Sequence, residues 1–269
     1  PTVLKENGYY NLFFMTHEGQ YDNMNAFFRT NGYDEVFSQE NYPADKVVNS
    51  FGVQDDFLYD YAIPVLNQRA ATGQPFFATL LSISNHPPYV IPPFFHPKTS
   101  EPETQIVEYA DWALRQFFEE ARKQPWFDNT IFVLEGDHGK LVGDAECELP
   151  ESYNHIPLMI YSSRIQPEEK TTFGGQVDIQ PTILGLLNID YLQNNFGVDL
   201  LKEERPCMFY TADNMVVGRN DTLLYLYNYE TQQELTYDIG NGKLNAVPMD
   251  DSFLPLKEYS FSMLQSAEF

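Results

Sequence analysis

The chain has 269 residues, of which 43% are hydrophobic and 15% are aromatic, and it carries a net charge of −23 at pH 7. This apolar content is sufficient for a packed core, so intrinsic disorder is excluded as the main state. Because an acidic surface repels the phosphate backbone, nucleic acid is not expected as a partner. No run of about 18 apolar residues occurs, so no membrane-spanning helix is expected within these residues.

Up to about residue 200 the sequence alternates between apolar runs, which are typical of buried strands, and helical patterns. In chain order these predict a strand at residues 9–15, helices at 21–30 and 55–71, a strand at 75–84, a helix at 102–123, strands at 130–134 and 156–161, and a helix at 176–187. Pro64 predicts a kink or a later start for the second helix. This alternation predicts an α/β fold, with a mainly parallel sheet covered by helices on both faces.

After about residue 200 the pattern changes to short β-rich segments separated by turns rich in Asn, Asp and Gly. The segments lie at residues 207–217, 222–229 and 234–239, and a helical pattern follows at 255–266. They predict a small antiparallel sheet with one helix. We therefore expect an α/β domain at residues 1–200 and a small β-rich subdomain at residues 201–269.

Three of the five histidines follow predicted strands. His17 follows the first strand, His86 follows the second, and Asp137-His138 follows the third. Ligands of α/β sheets bind beyond the carboxyl ends of the strands. These histidines, with the carboxylates Glu18 and Asp137 beside two of them, therefore predict a functional site at this edge.

The Asp137-His138 pair points to a metal. A carboxylate and an imidazole on adjacent residues face one cation only at an irregular turn, which Gly136 and Gly139 allow. Their oxygen and nitrogen donors suit Zn, Mn or a similar divalent ion. Two ligands are too few for a complete shell, so others must come from elsewhere. The alternative is an Asp–His hydrogen bond that caps a loop.

An ordered series of motifs resembles the sulfatase branch of the alkaline phosphatase superfamily and, within it, the bacterial lipoteichoic acid synthase group. The resemblance covers about residues 8 to 200. Its motifs are Ser84–Pro88, Val107–Leu114, Phe117-Phe118, Asp128–Val133, Gly136–Gly139, His155–Tyr161 and Gln176–Leu187.

This resemblance implies roles for particular residues. Asp137 and His138 would bind the catalytic divalent metal (Mn, Zn or Mg), and His86 would contact the phosphate or sulfate region of the substrate. The family's substrate-binding carboxylate matches Glu18 best, with Asn23 beside it. The family's aromatic residue and arginine in that segment are absent, and Asn23 and Asn25 stand there instead.

The family's nucleophile, a Thr, Ser or Cys at a helix N-terminus, has no match in this sequence and is expected upstream of Pro1. The resemblance therefore implies an inactive fragment of an enzyme that is anchored in the bacterial cell membrane and acts on its extracytoplasmic face. Its reaction would be metal-dependent phosphoryl transfer of the glycerol phosphate type, or phosphoester hydrolysis. The substrate would be an anionic phosphate or sulfate ester, either free or lipid-linked.

Two alternatives to this activity stay open, a sulfatase and a non-catalytic binding domain on the same fold. Genuine upstream sequence would separate the two enzyme classes, since a sulfatase needs a Cys or Ser that is converted to formylglycine. A fragment of this kind is also expected to self-associate through apolar surface that the missing segment would cover.

Overall fold

The chain divides into two units, and the computed structural model describes residues 1–141 and 143–267 of it. The first unit contains residues 1–130 and 162–164, and the second contains residues 131–161 and the chain from residue 165 onward. The expected boundary between domains at residues 1–200 and 201–269 stays a prediction.

The first unit contains a parallel sheet and four helices. The helices of this unit are α1 (Thr2–Glu6), α2 (Met24–Thr30), α3 (Asp55–Ala70) and α4 (Pro102–Ala121), and its strands are β1 (Tyr10–Met15), β2 (Glu35–Phe37), β3 (Val47–Asn49), β4 (Gly52–Val53) and β5 (Phe76–Leu81). Three of these strands form the parallel sheet, in the order β2-β1-β5. The central strand β1 is buried from Asn11 to Met15, as its continuous apolar run predicts. The short strands β3 and β4 form a separate antiparallel hairpin.

The two long helices α3 and α4 pack against each other in this unit. The buried positions of α4 recur at helical spacing and are Ile106, Tyr109, Ala113, Phe117 and Ala121. The ring of Phe117 lies 5.2 Å from the ring of Tyr59 in α3. Helix α3 begins at Asp55 and continues through Pro64, so the later start considered from the sequence is wrong.

The second unit contains a five-stranded antiparallel sheet and a separate antiparallel pair of strands. Its strands are β6 (Phe132–Glu135), β7 (Leu158–Tyr161), β8 (Met208–Ala212), β9 (Met215–Arg219), β10 (Leu223–Asn228), β11 (Gln233–Asp238) and β12 (Asn245–Ala246), and its helices are α5 (Ile179–Leu186) and α6 (Leu254–Ala267). The sheet has the order β12-β11-β10-β9-β8, and the separate pair is β6-β7. The antiparallel sheet with one closing helix confirms the prediction for the C-terminal part.

The β-rich segment 207–217 forms a hairpin of β8 and β9, because Asp213 and Asn214 both adopt positive φ (47° and 64°) and turn the chain. The β6–β7 pair differs from the parallel pairing expected of these strands. The two strands run antiparallel, and the described part of their connection, which leaves out residue 142, contains a three-residue 3₁₀ helix, Glu151–Tyr153, and no α-helix.

None of the helices in the described part of the chain is both long enough and apolar enough to cross a membrane.

Candidate functional site

His17 and His86 lie at the same edge of the parallel sheet. Strands β1 and β5 run in the same direction and pair to their last residues, Met15 and Leu81. His17 follows the first of these strands and is 2% exposed, whereas His86 follows the second and is exposed to solvent. The fold thus brings two of the predicted site residues to the carboxyl edge of one sheet.

A row of four rings joins these histidines. The ring centroids of His17 and Tyr21 are 4.9 Å apart, those of Tyr21 and Phe51 are 6.3 Å apart, and those of Phe51 and His86 are 4.2 Å apart. We call His17, Tyr21, Phe51 and His86 the aromatic row. Sequence analysis did not identify Tyr21 or Phe51, because the Tyr21–Phe51 and Phe51–His86 contacts join residues that are far apart in the chain.

Phe51 reaches the row because the β3–β4 turn lies tightly against the end of β1. Gly52, the next residue, has φ +89°, and a Cβ atom there would lie 1.7 Å from the backbone oxygen of Thr16. Only glycine combines this backbone conformation with so close an approach. The Gly52 position was the available sequence signal, but a single glycine does not specify which segment it approaches.

The three histidines that follow strands share one hydrogen-bond arrangement. The Nδ1 atom lies 3.0 Å from the Glu18 oxygen in His17, 2.7 Å from the Pro87 oxygen in His86, and 2.8 Å from the Gly139 oxygen in His138. A carbonyl oxygen only accepts hydrogen bonds, so Nδ1 carries the hydrogen in each ring. In the neutral rings Nε2 is therefore the nitrogen that can accept a proton or bind a metal.

The side chains of Glu18 and Asn23 are exposed in the segment between β1 and α2. Asn23 precedes α2 in the left-handed conformation, with φ +58°. A second carboxylate, Glu40, is held beside this segment, because it accepts hydrogen bonds from Gly19 N (3.2 Å) and Ser38 Oγ (2.7 Å). The bond from Ser38 lowers the pKa of Glu40, which is thus kept ionised.

In the second unit, Asp137 and His138 lie on the turn that follows β6, and both side chains are more than 70% exposed. Asp137 Oδ2 and His138 Nε2 are 3.6 Å apart, which is too far for a hydrogen bond. The sequence left open an Asp–His hydrogen bond that caps a loop. Such a bond is present, but it runs from the backbone N of His138 to Asp137 Oδ1, at 2.9 Å. Two donors bound to one ion at about 2.1 Å would themselves lie about 3 to 3.5 Å apart.

The turn that presents this pair is fixed on both sides. Gly139 N donates to the Tyr153 oxygen (2.8 Å), and a Cβ atom at Gly139 would lie 1.9 Å from the Ser152 oxygen. Gln176 Nε2 donates to the backbone oxygen of Asp137 at 2.9 Å. The donor types and their spacing fit a divalent cation, although residues 1–141 and 143–267 contain no cluster of three or more His, Cys, Asp or Glu side chains that could hold one.

Comparison with known proteins gives consistent results. The chain is 26% identical over 266 residues to lipoteichoic acid synthase 1 of Bacillus subtilis, covering 90% of this chain and 40% of the relative. It is 26% identical over 230 residues to phosphoglycerol transferase I of Xanthomonas campestris, covering 81% of this chain and 33% of that relative. The chain therefore spans less than half the length of these two curated relatives.

A solved structure also matches nearly the whole chain. It is a protein of the alkaline phosphatase superfamily from Vibrio parahaemolyticus, with a TM-score of 0.86, 28% identity, and coverage of 99% of this chain and 66% of that protein. The sulfatase family model matches residues 1–189, which is more than half of the sequence. This chain therefore belongs to the sulfatase family, and its fold is that of the alkaline phosphatase superfamily.

Proposed function

We propose that this chain is part of a metal-dependent transferase that moves a glycerol-phosphate-type group on the extracytoplasmic face of a bacterial membrane. The observation that carries the proposal is the Asp137–His138 pair, whose Oδ2 and Nε2 donors lie 3.6 Å apart on a fixed turn. Relatives named lipoteichoic acid synthase and phosphoglycerol transferase support the class of reaction.

Asp137 and His138 would hold a divalent ion, which we take to be Mn, Zn or Mg. When bound, such an ion stabilises negative charge on a phosphoester oxygen and makes a bound nucleophile more reactive. Its positive charge would also reverse the local potential, so that a chain of net charge −23 could bind an anionic substrate.

His86, Glu18 and Asn23 would bind the substrate. With Nδ1–H held by the Pro87 oxygen, neutral His86 accepts a hydrogen bond at Nε2 from a substrate hydroxyl, and protonated His86 donates one to an ester oxygen. Exposed Glu18 and Asn23 offer a carboxylate and an amide to the hydroxyl groups of a polyol. The nucleophile, a membrane anchor and a lipid-linked substrate belong to the proposed whole enzyme.

Sulfate-ester hydrolysis is the second candidate, and the match to the sulfatase family model favours it. The two activities differ in the nucleophile, since a sulfatase uses a formylglycine made from Cys or Ser. A non-catalytic binding domain on this fold makes a different prediction, because its ligand binding would persist when Asp137 and His138 are replaced.

Calorimetric titration with MnCl₂ tests the metal assignment. We expect weak binding, with a dissociation constant above about 10 μM, because two protein donors form only part of a shell. The variant His138→Ala should abolish it, whereas Asp144→Ala, which removes a carboxylate outside the pair, should leave it unchanged. Sub-micromolar affinity would contradict the two-donor site, and binding that survives in both His138→Ala and Asp137→Ala would contradict the assignment itself.

A further inference from the structure

The loop that carries His86 is held by one short segment of the first unit. We call Asn49, Phe51, Gln54 and Asp55 the bracket. Asn49 Nδ2 donates to the Pro88 oxygen (3.4 Å), the Phe51 ring lies 4.2 Å from the His86 ring, and Gln54 Nε2 donates to the Val90 oxygen (2.8 Å). Residues 49–55 therefore contact the loop after β5 at several successive points.

Asp55 is the buried anchor of the bracket. It is 2% exposed, and its Oδ1 accepts hydrogen bonds from the backbone N of Ile83 (2.9 Å) and of Ser84 (3.0 Å). In return, Ser84 Oγ accepts from Asp55 N at 3.0 Å. Asp55 is the first residue of α3, so this exchange satisfies an N–H group of the helix end as well as two N–H groups of the loop.

These bonds are connected to the histidine. The peptide group between Ile83 and Ser84 makes both bonds. Its N–H group donates to Asp55 Oδ1, and its carbonyl oxygen accepts from His86 N at 2.8 Å. Phe51 limits the ring on one side, and the Pro87 oxygen fixes Nδ1. The position of Nε2 therefore depends on where Asp55 places Ile83 and Ser84.

The neighbouring Asp56 has a different role and provides a comparison. Its Oδ1 accepts from the hydroxyl of buried Tyr109 at 2.7 Å, and this bond joins α3 to α4. The two carboxylates thus sit at the same helix end, but only Asp55 bonds to the loop of His86.

We infer that Asp55 is a positioning residue for His86, and that it acts by accepting hydrogen bonds from the N–H groups of Ile83 and Ser84, just after β5. This inference rests on the proposed function, in which His86 contacts a phosphoester. The role needs an acceptor oxygen rather than a charge, so an asparagine at this position should fill it. An alanine leaves two N–H groups without their acceptor and releases the turn.

NMR of the histidine rings in the ¹⁵N-labelled chain tests this inference, with sn-glycerol 3-phosphate as the probe. In the wild type we expect His86 to show the Nδ1–H tautomer and a ring-current shift from Phe51. In Asp55→Ala both signatures should be lost and the affinity for the probe should fall about tenfold. Asp55→Asn should restore both signatures and bring the affinity back to within about twofold.

Tyr109→Phe is the control, because it removes the bond to Asp56 and should lower stability while the His86 signals stay unchanged. If Asp55→Ala does not fold, Ser84→Ala removes one acceptor of the same exchange and should shift the His86 signals in the same direction. Unchanged His86 signals in folded Asp55→Ala or in Ser84→Ala, or failure of Asp55→Asn to restore them, would overturn the inference. If wild-type His86 does not respond to the probe, the proposed function fails, while the tautomer and ring-current signals still decide the role of Asp55.

Discussion

The close contact between Gly52 and the end of β1 depends on the absence of a side chain. For Gly52→Ala we expect a loss of about 3 kcal/mol or more in the free energy of unfolding, because the new Cβ meets the Thr16 oxygen at 1.7 Å and φ is +89°. The measurement is urea unfolding followed by fluorescence. The ring contact between Phe51 and His86 should weaken in the same variant.

Gly73 offers a matched control for this substitution. Its φ is also positive, at +78°, but a Cβ atom there would meet nothing within 4 Å. Gly73→Ala should therefore lower the free energy of unfolding by only about 1 kcal/mol, which is the cost of a positive φ for a residue that has a Cβ atom. Equal losses in the two variants would show that the approach to Thr16 does not determine the stability of the turn.

The buried carboxyl of Asp55 makes stability depend on pH. Burial raises its pKa, an effect that exceeds the opposing one of the bonds from Ser84 and Ile83. The folded state then binds the proton more tightly than the unfolded state, so the contribution of Asp55 to stability is greatest below its ordinary pKa and is lost as pH rises through the raised pKa. Asp55→Asn does not titrate and lacks this dependence.

We therefore expect the stability of Asp55→Asn, relative to the wild type, to improve as pH increases from about 4 and then to become constant. Urea unfolding of both proteins across this range measures the difference, in which the titrations of all other groups cancel. A relative stability that declines with increasing pH would mean that the folded state favours the charged form of Asp55.

At the residue scale the sequence indicates candidate site residues but not the side chains that surround them. His17, His86 and Asp137-His138 were predicted because each follows an apolar run, and a strand end is a local property of the sequence. Phe51 and Glu40 were missed because their roles depend on contacts with His86 and Gly19, which are 35 and 21 positions away. No periodicity or local spacing predicts such tertiary contacts.

At the scale of elements, a buried ion pair fastens the start of α5. Asp178 is fully buried and Arg205 is nearly so, and Arg205 Nη2 lies 2.6 Å from Asp178 Oδ1. Arg205→Ala should cost about 3 to 5 kcal/mol in the free energy of unfolding, because it leaves the carboxylate buried without its cation. Thermal and urea unfolding both measure this loss.

The exposed pair between Lys170 and Glu168, at 2.8 Å, is the comparison for this variant. Lys170→Ala should change stability by less than about 0.5 kcal/mol, because solvent screens an exposed pair. A loss in Arg205→Ala no larger than that would show that water reaches Asp178 once the arginine is removed.

Elements with a strong local pattern were predicted well, and short ones were missed. The apolar run of β1 and the helical stripe of α4 each carry their own signal, and the structure has both. The three-residue strand β2 is too short to show a period, and it forms because the parallel sheet offers it a partner in β1. The sequence indicates a β-rich segment at residues 207–217 but not the turn between β8 and β9, because Asp213-Asn214 lacks the glycine that usually marks such a turn.

For the whole molecule, the acidic charge and an exposed apolar strand act in opposite directions. Leu158, Met159 and Tyr161 of β7 are 37%, 55% and 39% exposed, and an apolar strand with this exposure favours pairing with a second copy. The net charge of −23 opposes association through repulsion between like charges. Salt weakens the repulsion, since the screening length falls from about 10 Å at 0.1 M to about 3 Å at 1 M.

We therefore expect the chain to self-associate as salt is raised. Sedimentation velocity at about 0.1 M and 1 M NaCl should show a monomer at low salt and a larger species at high salt. Met159→Gln should reduce the association, because it replaces the most exposed apolar side chain of β7. Leu192→Gln, which alters a 94% exposed side chain in a loop, should not. A strict monomer at both salt concentrations and at high protein concentration would show that β7 forms no contact between copies, and equal effects of the two variants would place the contact elsewhere.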